Sequence, residues 1–184
     1  MPQPRDAHDR LEVASRALAY ADALHDLAWY LARSEVEAED LVQETYVRAL
    51  AAADQLETGA NLKAWLFRIL RNLFLSRVRH ARHDPTEGGL DTVAPHAVPQ
   101  PDDSLRGDAE LEAMRGIVGA EIEAALCALG EDARTAVLLD LEGFSEAEMA
   151  SILGCAPGTV KSRLSRARAA LRERLREYAR TERP

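Results

Sequence analysis

A chain of 184 residues, 47% of them hydrophobic and 5% aromatic, is long enough for one or two small cored domains and too apolar for a disordered tail. Its formal net charge of −8 conceals two basic islands, six Lys or Arg and no acid over residues 61–83 and nine against three acids over 157–184, and two such patches in an acidic background point to a polyanion. No apolar run approaches the ~18 residues of a membrane span, the start lacks a secretory signal, and Cys127 and Cys155 stand alone, which excludes a disulfide framework and a cysteine zinc site and points to the cytosol.

Alanine, leucine, arginine and glutamate dominate, all good helix formers, so an all-α fold is expected. Periodicity predicts helices near 10–20, 22–33, 36–53 and 61–82, which make a first domain over 10–84. It vanishes through DPTEGGLDTVAPHAVPQPDDSLRGD, whose prolines at 85, 95, 99 and 101 cannot continue a helix and whose glycines favour flexibility. A flexible Pro/Gly-rich linker over 85–109 is the expectation, long enough for two helical domains to bind separate places. Helices return near 110–129, 131–141, 145–153 and 157–180, a second domain over 110–180, with Gly116 and Gly119 weakening the first of them.

In the third helix, Ala38, Val42, Tyr46, Ala49 and Ala53 share one face while Asp40, Gln43, Glu44 and Val47 share the other. Acids around an exposed valine fit a solvated surface and a protein-docking patch equally. The fourth helix buries Leu62, Leu66, Ile69 and Leu73 and carries Trp65, Arg68, Asn72 and Arg79 beside that stripe, with Arg71 next to them. An aromatic ring among cations and an amide can stack on an unpaired base and hold its phosphates. The alternative is that Trp65 belongs to the core. His80 and His83 lack further ligands and read as surface histidines, not a metal site.

Ser145 and Glu148 have the spacing of a capping box, Gly154 ends the short helix they open, and Pro157 suits the first turn of the next. A short helix, a glycine turn and a longer basic helix make a helix-turn-helix. In the last helix Val160, Leu164, Ala167, Leu171, Leu175 and Tyr178 form one stripe that must pack inward. Lys161, Ser162, Ser165 and Arg166 fall opposite, near the N-terminus, where a recognition helix meets base edges. Arg163, Arg168 and Arg172 are placed to reach phosphates. The competing readings are a solvated amphipathic helix and a membrane- or calmodulin-type basic helix, against which the narrow, alanine-rich stripe speaks.

Taken together, AEDLVQETYVRAL, NLKAWLFRILRN, and GFSEAEMASILG followed by GTVKSRLSRARAALR resemble bacterial RNA polymerase sigma factors of the extracytoplasmic-function (ECF) group of the sigma-70 superfamily. The resemblance runs from about residue 20 to 178, three motifs in the family's order. It implies a region 2 domain near 10–84 and a region 4 domain near 110–180. It implies that Asp40, Gln43 and Glu44 dock on core RNA polymerase, and that Trp65, Arg68, Arg71 and Asn72 engage the minus-ten element as it melts. The loop from Asp54 to Asn61 would capture a flipped base, and Lys161, Ser162, Ser165 and Arg166 would read the minus-thirty-five element as duplex. An anti-sigma protein is an expected further partner, and free DNA affinity is expected to be weak and salt-dependent.

The chain departs from many relatives at Ser76, where an acid or amide is common, and residues 1–19 match no motif. With no module expected after residue 184, regulation by a fused C-terminal domain is disfavoured. No nucleophile–base set, phosphate loop or metal cluster is visible, so neither a cofactor nor a catalytic activity is expected. Two competitors remain from other classes: a dimeric helix-turn-helix regulator that binds DNA alone, and an interaction protein that sequesters a partner through its helices.

Overall fold

The structure, a computed structural model, describes residues 7–56, 59–83 and 109–181, with side chains over 13–56, 59–81 and 118–176. Eight α-helices and one 3-10 turn make up those residues: α1 Ala7–Leu18, α2 Ala21–Ala32, α3 Glu35–Ala51, the turn Ala53–Gln55, α4 Leu62–His83, α5 Ala109–Cys127, α6 Glu131–Leu141, α7 Glu146–Leu153 and α8 Pro157–Thr181. The expected linker lies, but for Ala109, outside the described residues, as do part of the Asp54–Asn61 loop and the side chains of His83 and Tyr178. Among the described residues no strand occurs and no helix is long and apolar enough to cross a membrane.

Local chemistry sets the breaks. α2 ends at Arg33, which turns left-handed at φ 60° and donates its N–H to the Trp29 carbonyl at 2.7 Å. One residue on, the Ser34 hydroxyl accepts from the Glu37 N–H at 3.4 Å and starts α3. The 3-10 turn brings Ala53 and Leu56 into the core, so the third helix is shorter than its periodicity predicts. Asn61 caps α4, its side-chain oxygen accepting from the Ala64 N–H at 3.1 Å. Gly116 and Gly119 sit inside α5 without breaking it.

In the first half, Leu24, Leu27, Leu41, Leu66 and Leu70 are essentially sealed from water, with Thr45 satisfied by donating to the Leu41 carbonyl at 2.7 Å. Each such leucine contributes about 1.5–3 kcal/mol by leaving water. The second half is built on Leu139, Met149, Ile152 and Val160. The two halves also pack on one another: the hydrophobic core runs through both, with α4 packed on α7 and α2 on α6. α4 has two apolar faces. Leu62, Leu66 and Leu73 are buried along one face, and Phe67, also fully buried, meets Phe144 of the second half. A single-stripe reading of α4 leaves Phe67, Leu70 and Phe74 out; all three are buried, and Phe67 meets the second half.

Candidate nucleic-acid interface

α7 and α8 form the helix-turn-helix. The Ser145 hydroxyl accepts from the Glu148 N–H at 3.3 Å, and the Glu148 carboxylate accepts from the Ser145 N–H at 2.8 Å, which closes the capping box. These bonds hold the Glu148 carboxyl below the usual glutamate range, Ser145 first and Asn61 after it. Gly154 takes φ 62°, ψ 38° at the end of α7, a left-handed turn that costs a residue with a Cβ roughly 1 kcal/mol or more. Val160, Leu164 and Ala167 of α8 are buried, Leu171 and Leu175 half-buried. Lys161, Ser162, Ser165 and Arg166 are exposed on the other side, in the first three turns. Arg163 donates to Asp132 at 2.7 Å and Arg168 to Asp140 at 2.6 Å, both on α6.

On α4, Arg68 and Asn72 are exposed, and Trp65 is half-buried with its ring against the core. Arg71 is only 11% exposed and donates to Asp132 at 3.4 Å. Asn61 donates to Glu148 at 2.5 Å. Lys63, which the sequence reading passed over, donates to the Glu142 carbonyl and carboxylate, both at 2.8 Å, and lies 5.0 Å from the Phe144 ring centre. The two predicted DNA sites thus meet along one seam. Asp132, in the first turn of α6, accepts from Arg71 on one side and Arg163 on the other. There a groove of about 800 Å³ opens between α4, α6 and α8, lined by Leu75, Val78, Asp132, Arg163 and Arg166 among others.

Arg134 is the second residue that sequence reasoning missed. From α6 it donates to the Tyr30 carbonyl at 2.6 Å and to the Cys127 and Leu129 carbonyls at 3.2 and 3.1 Å, so it ties the end of α2 to the α5–α6 turn. Burial lowers its pKa. Arg33 stacks over Trp29 at 4.6 Å and donates to the Cys127 sulfur, and burial pushes the Cys127 thiol up. No local pattern marks an arginine as a carbonyl clamp, because its partners lie up to 104 residues away.

The α3 patch is partly engaged within the chain. Asp40 and Gln43 are exposed, and Val47 is 66% exposed at the centre of the patch. Glu44 accepts from Arg77 of α4 at 2.9 Å and from Arg48 at 2.6 Å. The Arg77 bond, then Arg48, holds its carboxyl below the usual range. Among the described residues no group of three or more His, Cys, Asp or Glu could hold a metal.

Comparison with known proteins matches residues 17–83 to the family model for sigma-70 region 2 and residues 119–171 to that for sigma-70 region 4. The chain is 41% identical over 155 residues to the ECF RNA polymerase sigma factor EcfG of Rhodopseudomonas palustris, covering 84% of this chain and 80% of that one. It is 36% identical over 164 residues to the ECF sigma factor SigE of Mycolicibacterium smegmatis, covering 87% of this chain and 60% of SigE. Its fold is similar to the sigma factor RpoE of Bartonella quintana, solved in complex with the anti-sigma factor NepR, with a TM-score of 0.69, 38% identity, and 88% and 95% of the two chains covered. It is also similar to CnrH, solved with the cytosolic domain of CnrY, at a TM-score of 0.59 and 26% identity over 92% and 97% of the chains.

Proposed function

The chain belongs to the ECF group of RNA polymerase sigma factors, and we propose from that premise how its surfaces divide the work of starting transcription. It is a transcription initiation factor that directs promoter recognition for a specialised set of genes. We assign region 2 to residues 10–84 and region 4 to 110–180. The exposed Lys161, Ser162, Ser165 and Arg166 read the minus-thirty-five element in the major groove, and Arg163 and Arg168 grip the flanking phosphates. Trp65, Arg68, Arg71, Asn72 and Asn61 engage the minus-ten element as it melts. Asp40, Gln43 and Glu44 dock on core RNA polymerase. The factor acts by binding, is assigned no catalytic step, and works in the cytosol, where polymerase and DNA are.

The observation that carries this reading is the split face of α8: Val160, Leu164 and Ala167 are sealed into the core while Lys161, Ser162, Ser165 and Arg166 stand in solvent two turns behind a capped, glycine-ended helix. A solvated amphipathic helix would need neither that cap nor that turn. An anti-sigma protein is a further proposed partner, supported by the complexes in which the similar RpoE and CnrH were solved.

The direct test is comigration of the purified chain with core RNA polymerase, comparing wild type with Asp40→Lys plus Glu44→Lys at matched salt. Loss of association on charge reversal supports the reading. A wild type that ignores polymerase yet binds duplex DNA tightly by itself sinks it in favour of a free-standing regulator.

A further inference from the structure

α6 reaches the recognition helix α8 with a carboxylate near each of its ends. Asp132 in its first turn accepts from Nη2 of Arg163 at 2.7 Å, and Asp140 in its last turn accepts from Nη2 of Arg168 at 2.6 Å. At 1.5 Å per residue the two acids stand about 12 Å apart along the α6 axis. Both pairs join helices of the second half that pack on each other.

The two arginines lie on opposite flanks of α8. At about 100° per residue, Arg163 falls roughly 70° to one side of the Val160, Leu164 and Ala167 stripe and Arg168 roughly 70° to the other. That stripe is buried, and Lys161, Ser162, Ser165 and Arg166 stand exposed across from it. A helix about 10–12 Å across fills a major groove about 12 Å wide, so a sugar–phosphate strand rises on each of its flanks. One arginine is thereby placed for each strand.

Holding an arginine by one N–H does not use it up. Asp140 accepts from a single nitrogen of Arg168, whose side chain stays 50% exposed, and a guanidinium has further donors to offer a phosphate. An arginine free in solvent gives up rotamer freedom when it grips a phosphate; one already fixed by a carboxylate gave it up on folding. Against this stands the repulsion between carboxylate and phosphate, which water and salt screen at a site where Asp140 is itself 31% exposed. We infer that Asp132 and Asp140 are positioning residues for promoter binding: they fix Arg163 and Arg168 along the two flanks of α8, one for each DNA strand. This inference rests on the assignment of Arg163 and Arg168 to phosphates.

The sign of the effect separates positioning from charge. Taking an acid away from a DNA-facing surface strengthens its attraction for a polyanion; taking away a positioning acid weakens binding. Asp140 is the cleaner of the two to test, because Asp132 also accepts from Arg71 of α4 at 3.4 Å.

The test uses holoenzyme reconstituted from core polymerase and a saturating excess of the full chain, as wild type, Asp140→Ala, Arg168→Ala and the two combined. The probes are the three duplexes that wild-type holoenzyme enriches most from a pool randomised at the upstream element, with dissociation constants measured at matched salt. Asp140→Ala is expected to bind all three about three-fold more weakly than wild type, and to cause no further weakening in the Arg168→Ala background. Unchanged or tighter binding by Asp140→Ala, with Arg168→Ala weakened, overturns the positioning role and leaves Arg168 on the phosphates. An equal loss in both backgrounds also overturns it, since an acid that only supports the fold acts without Arg168. Full-strength binding by Arg168→Ala removes that arginine from the DNA surface and takes the inference with it.

Discussion

Phe67 of α4 and Phe144 of the α6–α7 connection meet edge to face, their ring centres 5.0 Å apart at an interplanar angle of 65°. Both are buried, and such a pair adds about 0.5–1.5 kcal/mol to the burial of its area. Phe144→Ala leaves a hole at the seam, against the edge-on Phe67 ring. The expected loss is about 3 kcal/mol in urea unfolding, together with a wider mean separation of the halves in scattering.

Arg134 is expected to resist conservative replacement. Its guanidinium spans three carbonyls on two sides of the seam, which a lysine ammonium at the end of a flexible stem cannot do. Arg134→Ala should destabilise the chain by about 2–3 kcal/mol, because the carbonyls it served are left buried without a donor. Arg134→Lys should recover less than half of that in the same denaturation series; full recovery would mean that charge alone matters there.

Acid should loosen the Asn61 contact at a pH set by Glu148. The Glu148 carboxyl is held below the usual glutamate range by Ser145 and then Asn61. A group whose pKa is depressed on folding adds stability above its unfolded pKa, and that stability is lost as pH falls through the folded pKa. The side-chain amide resonances of Asn61 should therefore titrate below the ordinary glutamate range, and Glu148→Gln should flatten the curve. A midpoint at or above the ordinary value contradicts the contact.

On α8 the two kinds of DNA contact should separate. Lys161→Ala and Arg166→Ala should each change promoter choice, at a cost of about 1–3 kcal/mol per lost base contact. Arg168, which donates to Asp140, should behave differently: Arg168→Ala is expected to weaken binding by polymerase holoenzyme evenly across promoters and lower the salt slope by about 1. Promoter panels at two salt concentrations distinguish the cases, and a sequence-selective effect of Arg168→Ala would move that residue to the reading face.

What could be read beforehand was local. The Ser145 and Glu148 cap, the turn at Gly154 and the inward stripe of α8 depend on residues a few positions apart, and the structure has them where the spacing puts them. Asn61 carries a capping signal, an amide just before an apolar run, at the join of the Asp54–Asn61 loop and the helix expected from 61. The seam was illegible for a different reason. Asp132 and Arg71 are 61 residues apart, Lys63 and Glu142 79, and nothing in either neighbourhood marks the other. The hint in the sequence is Phe67 and Phe74, two large apolar rings off the Leu62, Leu66, Ile69 and Leu73 stripe. A helix with more apolar surface than its own domain can cover requires a second neighbour.

Because the hydrophobic core passes through the seam without a break, heat meets one melting unit where two tethered domains would offer two. Each half borrows part of its thermal resistance from the other. Parting them is therefore a loan called in: the open factor is the more fragile one, and whatever holds the halves apart must also keep them folded.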